Sequence, residues 1–323
     1  MKKVLTLFFC CFWSLLLPAQ VDLADLFNDS IVSEQALPVL ATFKSPRVIN
    51  AQSVETVHKH DLVFLVLHRF GDLAGGNGGA ETFFGLDNSS DIQIGFDYGL
   101  TDSWSIGLGR VKGAPNGVNT FQRQLFYLNS KYRLLRQTTD ERFPLSIALF
   151  GNSVLSGMKK MDLSTSDANF QESGDRWSFV AQLILARKFS PDFSLEILPT
   201  YIHRNLVTYM EQNDLFALGI ALRMKVSRRM AVVVDYFHNF RSQESEDYFK
   251  QEKSFRFYNP LGVGLEIETG GHVFNMSFTN STAILENQFI PSTSSSWGKG
   301  EFRWGFSISR TFSLDKSRRD AGY

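Results

Sequence analysis

RWSFVAQLILARKF (Arg176–Phe189), SPD (Ser190–Asp192) and FSLEILPTYIHRN (Phe193–Asn205) follow one another without interruption, and their reading decides the fold. In the first arm Trp177, Phe179, Ala181, Leu183, Leu185 and Phe189 share one face. Ser178, Gln182 and Lys188 share the other with Val180, Ile184 and Ala186. In the second arm Phe193, Leu195, Ile197 and Tyr201 alternate with Ser194, Glu196, Thr200 and Arg204. A period of two marks strands with one apolar face. Ser190-Pro191-Asp192 supplies turn chemistry, since proline presets φ and the short polar side chains bond the local backbone. Each arm reaches the roughly 9–11 residues that a strand needs to cross a bilayer.

The beginning of the chain indicates where such strands belong. Lys2 and Lys3 precede an apolar run from Val4 to Leu17, and Leu-Pro-Ala-Gln follows. A charged start, an apolar middle and a small-residue site form a secretory signal peptide, cleaved after Ala19 or Gln20. The alternative, a membrane helix, needs roughly 20 apolar residues, which the run lacks. Cys10 and Cys11 both fall inside this segment, so the mature chain carries no thiol, disulfide or cysteine metal site. Phe8 and Phe9 before Cys10 do not suit a lipid anchor.

Lys plus Arg and Asp plus Glu each count 33, a balance that gives no reason to expect a nucleic-acid partner. The 30 phenylalanines, spread over alternating segments rather than long runs, suit a transmembrane β-barrel. Residues 21–60 are polar and weakly patterned, and read as a pre-barrel segment, periplasmic or folded into the barrel as a plug. From Asp61 to Phe312 the alternation yields about 12 strands, an even number as in bacterial single-chain barrels. The connections after even-numbered strands are short, as at Gly99–Asp102, Ser190–Asp192 and Thr269–Gly271. Those after odd-numbered strands are long, as at Gly71–Ser90, Ser156–Gly174, Arg241–Phe257 and Ser281–Gly300. Short periplasmic turns opposite long extracellular loops follow the outer-membrane pattern and put both ends of the barrel strands in the periplasm. A polar tail, residues 313–323, follows.

This orientation sets two aromatic rims at headgroup depth. Tyr98, Trp104, Phe189, Phe193 and Phe312 form the lower, and Trp177, Tyr201, Tyr236, Phe240 and Tyr258 the upper. The opposite face lines the lumen with Arg69, Asp91, Gln93, Asp97, Asn129, Lys131, Arg133, Gln182, Lys188, Glu196, Arg204, Asp235, Glu266, Glu268 and Arg303. An Arg or Lys on the lipid side at mid-bilayer would cost roughly 2–4 kcal/mol, which favours the inward assignment. An arginine at Leu183 is accordingly expected to impair assembly far more than one at Gln182. The mixed signs fit either a salt-bridged, filled interior or a path for polar solutes.

Catalysis finds little support. His272, Asn275 and Ser277 come nearest to a nucleophile–base set, but at the periplasmic end of their strand, and His68 and His203 have no serine nearby in the chain. The histidines are scattered without ligand spacing, so no metal or cofactor is expected. The glycines of GDLAGGNGGAETFFGLD (Gly71–Asp87) match no phosphate loop and suit a tight or inward-folding first extracellular loop.

Several stretches carry a resemblance: TFKSPRVINAQSVET, HRFGD (His68–Asp72), FGLD (Phe84–Asp87), RLLRQ (Arg133–Gln137), PTYIHRN (Pro199–Asn205) and GGHVFNMSFTNS (Gly270–Ser281). Together they resemble an uncharacterised domain-of-unknown-function family of Bacteroidota outer-membrane-type β-barrels, from about Ala41 to Phe312. The resemblance implies a barrel and no catalytic residues. The tail after Phe312 departs from a strand-final aromatic at the chain end.

The expectation is an up-and-down outer-membrane barrel of a Gram-negative bacterium, a narrow channel or passive transporter for small polar solutes. Its expected partners are outer-membrane lipid, lipopolysaccharide and the barrel-assembly machinery. A closed structural barrel is the first alternative and a lipid-modifying enzyme the second.

Overall fold

Alternating side chains with apolar rings on one face can bury that face only against lipid or a second layer, and here the sheet closes on itself. The computed structural model describes residues 37–114, 123–161 and 168–315. The signal segment, residues 21–36 and most of the polar tail lie outside the described residues. Twelve strands follow in order: β1 (Asp61–Asp72), β2 (Ser89–Thr101), β3 (Trp104–Val111), β4 (Leu125–Leu135), β5 (Ser146–Ser156) and β6 (Trp177–Lys188). They continue with β7 (Phe193–Arg204), β8 (Asp214–Lys225), β9 (Met230–Asn239), β10 (Leu261–Thr269), β11 (His272–Thr279) and β12 (Arg303–Ser313). Each pairs antiparallel with its sequence neighbours. β1 also pairs with β12 through a seam in which Leu65 faces Ser309, closing a barrel without edges.

The inward and outward faces follow the alternation. On β6, Ser178, Val180, Gln182, Ile184 and Ala186 are buried, while Trp177 and Phe179 are exposed. Leu108, Leu128, Phe216 and Met276 are each more than half exposed on the outer wall. An apolar belt of this kind around a closed antiparallel sheet is that of a transmembrane barrel. Among the described residues no helix is long and apolar enough to span a membrane.

Connections at the two ends differ in length as expected, with one exception. The 136–145 connection at the short-turn end is one residue longer than 205–213 at the other. Its extra residues hold other chain: Gln137 accepts at its carbonyl from the Val39 amide at 2.7 Å and exchanges side-chain bonds with the Lys188 backbone at 3.0 and 2.8 Å.

Two segments fill the barrel. From the short-turn end the chain before β1 runs inward and returns. Val48 N donates to Ala51 O and Ser53 N to Pro46 O, both at 2.9 Å, which closes a turn at the hairpin's tip. The returning limb crosses β2 at Gly99, where Lys59 forms a bridge. A Cβ at Gly99 would sit 1.9 Å from the His58 carbonyl, so only glycine admits this crossing. Within the long β9–β10 connection lies α1 (Gln243–Glu252). The β11–β12 connection carries α2 (Glu286–Ser292), whose every residue is buried. This connection, rather than the glycine-rich one between β1 and β2, folds inward. In the latter, Phe83 and Phe84 take left-handed backbone angles and stay at least half exposed. Its Gly85 is pressed against the Gly71 carbonyl, so the loop packs on itself.

The wall around these segments is half apolar. Phe150, Val180, Ile184, Leu198, Ile202, Leu215 and Phe237 of β5–β9 pack with Phe43, Val48, Ile49 and Val54 of the hairpin and Phe289 and Ile290 of α2 in one cluster. A packed interior changes one expectation. Gln182 is 2 % exposed and donates to Thr200 Oγ1 at 3.0 Å, so an arginine there would overpack a filled core rather than enter water. Outer-face positions keep theirs. Leu183→Arg is expected to cost about 2–4 kcal/mol at mid-bilayer and to lower the assembled fraction seen as heat-modifiable gel migration. Gly151→Ala, whose added methyl meets nothing within 4 Å on the same outer wall, is expected to assemble normally.

Candidate functional site

The hairpin turns its main chain toward the wall, and the wall answers with charges. At the tip, the backbone amides of Ile49, Asn50 and Ala51 donate to Asp235 Oδ2 at 3.2, 2.5 and 2.8 Å. Asn50 Nδ2 donates to the other oxygen at 2.7 Å. A tight turn presents consecutive N–H groups in one direction, so a carboxylate on β9 fits there as an anion in a nest. Asn50 Oδ1 in turn accepts from Arg69 at 2.5 Å. On the opposite wall Lys131 Nζ donates to the carbonyls of Pro46 and Ser53 at 2.8 Å and of Glu55 at 3.3 Å. Glu196 accepts from Val54 N at 3.2 Å, and Asn275 donates to Val48 O at 2.8 Å.

The second segment meets the first inside the barrel. Arg47 of the hairpin pairs with Glu286 of α2 at 2.8 Å, both nearly fully buried, and donates to Ile284 O at 3.1 Å. Gln52 donates to the same Glu286 oxygen at 2.9 Å. The wall holds this segment as well: Asp91 accepts from Ile284 N at 3.0 Å, and Arg69 donates to Ser281 O at 3.0 Å.

Of the remaining inward candidates, Gln93 donates to Tyr127 Oη at 2.8 Å, and Asp97 and Asn129 line a small cavity with Arg47 and Gln52. Arg133 pairs with Glu55 at 3.5 Å and Glu266 with Arg223 at 2.7 Å. Lys188 donates to the carbonyls of Leu40 and Ala41, and the half-exposed Glu268 pairs with Lys44 at 3.1 Å; both grip the hairpin where it enters. At the other end Arg204 and Arg241 meet at Glu211, Arg241 also donates to Pro291 O, and Arg303 pairs with Asp72. These bonds fasten loops. The hairpin and residues 281–286 thus gather Arg69, Asp91, Lys131, Arg133, Glu196 and Asp235, while Gln182, Arg204, Glu266 and Arg303 bond elsewhere.

The rim aromatics occupy both ends. Trp104, Trp177, Phe189, Tyr201 and Phe312 are exposed, whereas Tyr98, Phe193, Tyr236 and Tyr258 are half-buried. Trp104 Nε1 donates to Ser130 at 2.9 Å, Tyr236 accepts from Asn259 at 2.8 Å, and Tyr258 lies just outside β10.

Sequence reasoning missed the centre of this site. Arg47, Asn50, Gln52 and Glu286 lie in stretches without periodicity, and their partners are more than 180 residues away in Asn50–Asp235 and Arg47–Glu286. One usable signal was FVAQLILA of β6, apolar on both faces except at Gln182, since strands buried on both faces lose their alternation. Register also separates His272, stacked on Phe274 outside, from Ser277, which faces inward and donates to Gly305 O. A histidine–serine contact does exist on the outer wall, His68 Nε2 to Ser89 Oγ at 3.2 Å. The other ring nitrogen of His68 has no partner among the described residues, so nothing there orients the ring as a base. Among the described residues no group of acids, histidines or cysteines could hold a metal.

Comparison with known proteins gives the following. Residues 43–312 match the family described as a membrane-bound beta barrel domain, DUF5777, so the matched region takes in the hairpin as well as the strands. No curated protein matches. Among solved structures, the chain is similar to the KdgM porin at 6% identity, covering 78% of this chain and 99% of that one, with a TM-score of 0.45. It is similar to an outer membrane channel from Pseudomonas putida F1 at 12% identity, covering 80% and 98%, with a TM-score of 0.46. The CymD monoaromatic hydrocarbon channel follows at 14% identity, covering 80% and 89%, with a TM-score of 0.37.

Proposed function

Since the chain belongs to the family of membrane-bound β-barrel domains DUF5777, we propose that it is an outer-membrane barrel whose path for small polar solutes is shut by its own chain. The path opens when the hairpin at residues 43–57 withdraws toward the periplasm. In this reading residues 1–20 are the signal, residues 21–60 the pre-barrel segment whose hairpin is the plug, and residues 61–312 the barrel, inserted by the assembly machinery into the membrane of a Gram-negative bacterium.

One observation supports the reading above the others: from two sides the wall holds the hairpin by charged side chains against main-chain groups. Asp235 and Lys131 would both be well solvated if water replaced the plug, so withdrawal exchanges hydrogen bonds instead of abandoning them. The cavity lined by Gln93, Asp97, Tyr127 and Asn129 lies along the wall that carries Lys131.

The apolar cluster favours a second reading, a permanently closed structural barrel, because withdrawal would wet Phe150, Ile184, Leu198 and Phe237. Planar bilayers separate the two. The intact protein is expected to be mostly silent, and a variant lacking residues 43–57 to conduct steadily. A deletion variant that assembles with normal heat-modifiable migration yet never conducts would remove the channel and leave the closed barrel.

A further inference from the structure

Arg110 and Lys112 occupy the outer wall at the long-loop end of the barrel, where an apolar belt meets headgroups. Val111 between them is fully buried, so the alternation turns both basic side chains outward. Arg110 pairs with Ile94 across β2, and the Lys112 amide donates to the Ile92 carbonyl at 2.9 Å. Beyond Ile92, β1 presents His68.

The cluster has chemistry that no ion pair absorbs. Among the described residues Lys112 Nζ reaches only the Ser89 carbonyl, at 3.4 Å, and Ser89 Oγ meets His68 Nε2 at 3.2 Å. The Arg110 guanidinium lies 5.7 Å from the centre of the Phe126 ring. Neither cation has a carboxylate partner among the described residues, and the adjacent stretch 115–122, PNGVNTFQ, contains no acid. Around them Leu108, Phe126 and Leu128 are exposed apolar side chains. On the same outer wall Arg187, by contrast, pairs with Glu141 at 2.9 Å.

We propose that Arg110 and Lys112, with Ser89 and His68 beside them, form a binding site for the phosphorylated headgroup of an outer-leaflet lipid. Its acyl chains lie along the Leu108, Phe126 and Leu128 wall. Two unpaired cations about two residues apart on one strand face are spaced about 7 Å, within reach of one phosphate-bearing sugar or two adjacent phosphates. Guanidinium and ammonium groups supply charge-assisted bonds to phosphate oxygens, and the apolar wall gives a lipid, unlike a free anion, its second anchor. The site is independent of whether the barrel conducts.

The test is native mass spectrometry of the full-length protein in detergent, titrated with phosphorylated lipid A and with its dephosphorylated form. The intact protein is expected to retain the phosphorylated form at least about tenfold better, and the Arg110→Gln/Lys112→Gln double variant to lose that preference. Unchanged thermal unfolding of the variant keeps the comparison clear of misfolding. Equal retention of both lipids, unchanged retention by the double variant, or displacement of the lipid by millimolar inorganic phosphate would each overturn the site.

Discussion

Asp235→Ala is expected to free the hairpin tip while leaving the barrel wall assembled. The substitution leaves the amides of Ile49, Asn50 and Ala51, and the Asn50 side chain, without their acceptor in a buried setting. Each buried unsatisfied donor costs about 1–3 kcal/mol, so the closed arrangement loses several kcal/mol. Hydrogen exchange at residues 46–54 is expected to quicken by about a hundredfold or more, and bilayer recordings to gain openings. Asp235→Asn keeps one acceptor oxygen and is expected to fall between the two. Exchange in Asp235→Ala no faster than in the intact protein would mean that apolar packing alone holds the tip.

Arg47→Ala is expected to lower the unfolding midpoint more than removal of both partners. It strands Glu286, fully buried, with Gln52 and Asn152 as its remaining donors. Breaking a buried pair from one side costs about 3–5 kcal/mol, whereas apolar replacement of both members is often neutral. Arg47→Met/Glu286→Met should therefore unfold near the intact protein's midpoint in detergent. Additive losses in the double variant would show that the two segments are not energetically joined at this pair.

The wall of this barrel was legible because it is written locally. The alternation of Phe193-Ser194-Leu195-Glu196 predicts β7 to the residue at its start, and the burial of Ser194 and Glu196 follows from it. What Glu196 and Asp235 face was not legible, since it depends on a turn at residues 48–51 brought across the barrel by closure. RVINAQ lies in a segment that reads equally as periplasmic or inward-folded, and ENQFIPS in one that reads as extracellular loop; the wall keeps both buried by bonding their main chain and polar side chains. Sign balance in the lumen was readable, and it reflects pairing between segments that sequence does not connect.

The order of events during assembly follows from where the hairpin sits in the chain. It precedes β1, and β1 is the strand that must find β12 across the whole domain. Its tip is bonded to β9, so it can settle on a curved sheet before the ends join. Joining β1 to β12 first would leave the segment to enter a closed ring whose interior α2 also occupies, a slower route than settling on the open sheet. Closure of the most distant pair also carries the largest loop entropy and is the natural slow step. In that order the hairpin is expected to act as a template around which the sheet curls. Removing it should slow maturation as well as empty the lumen, a kinetic consequence that equilibrium measurements on the finished barrel would not register.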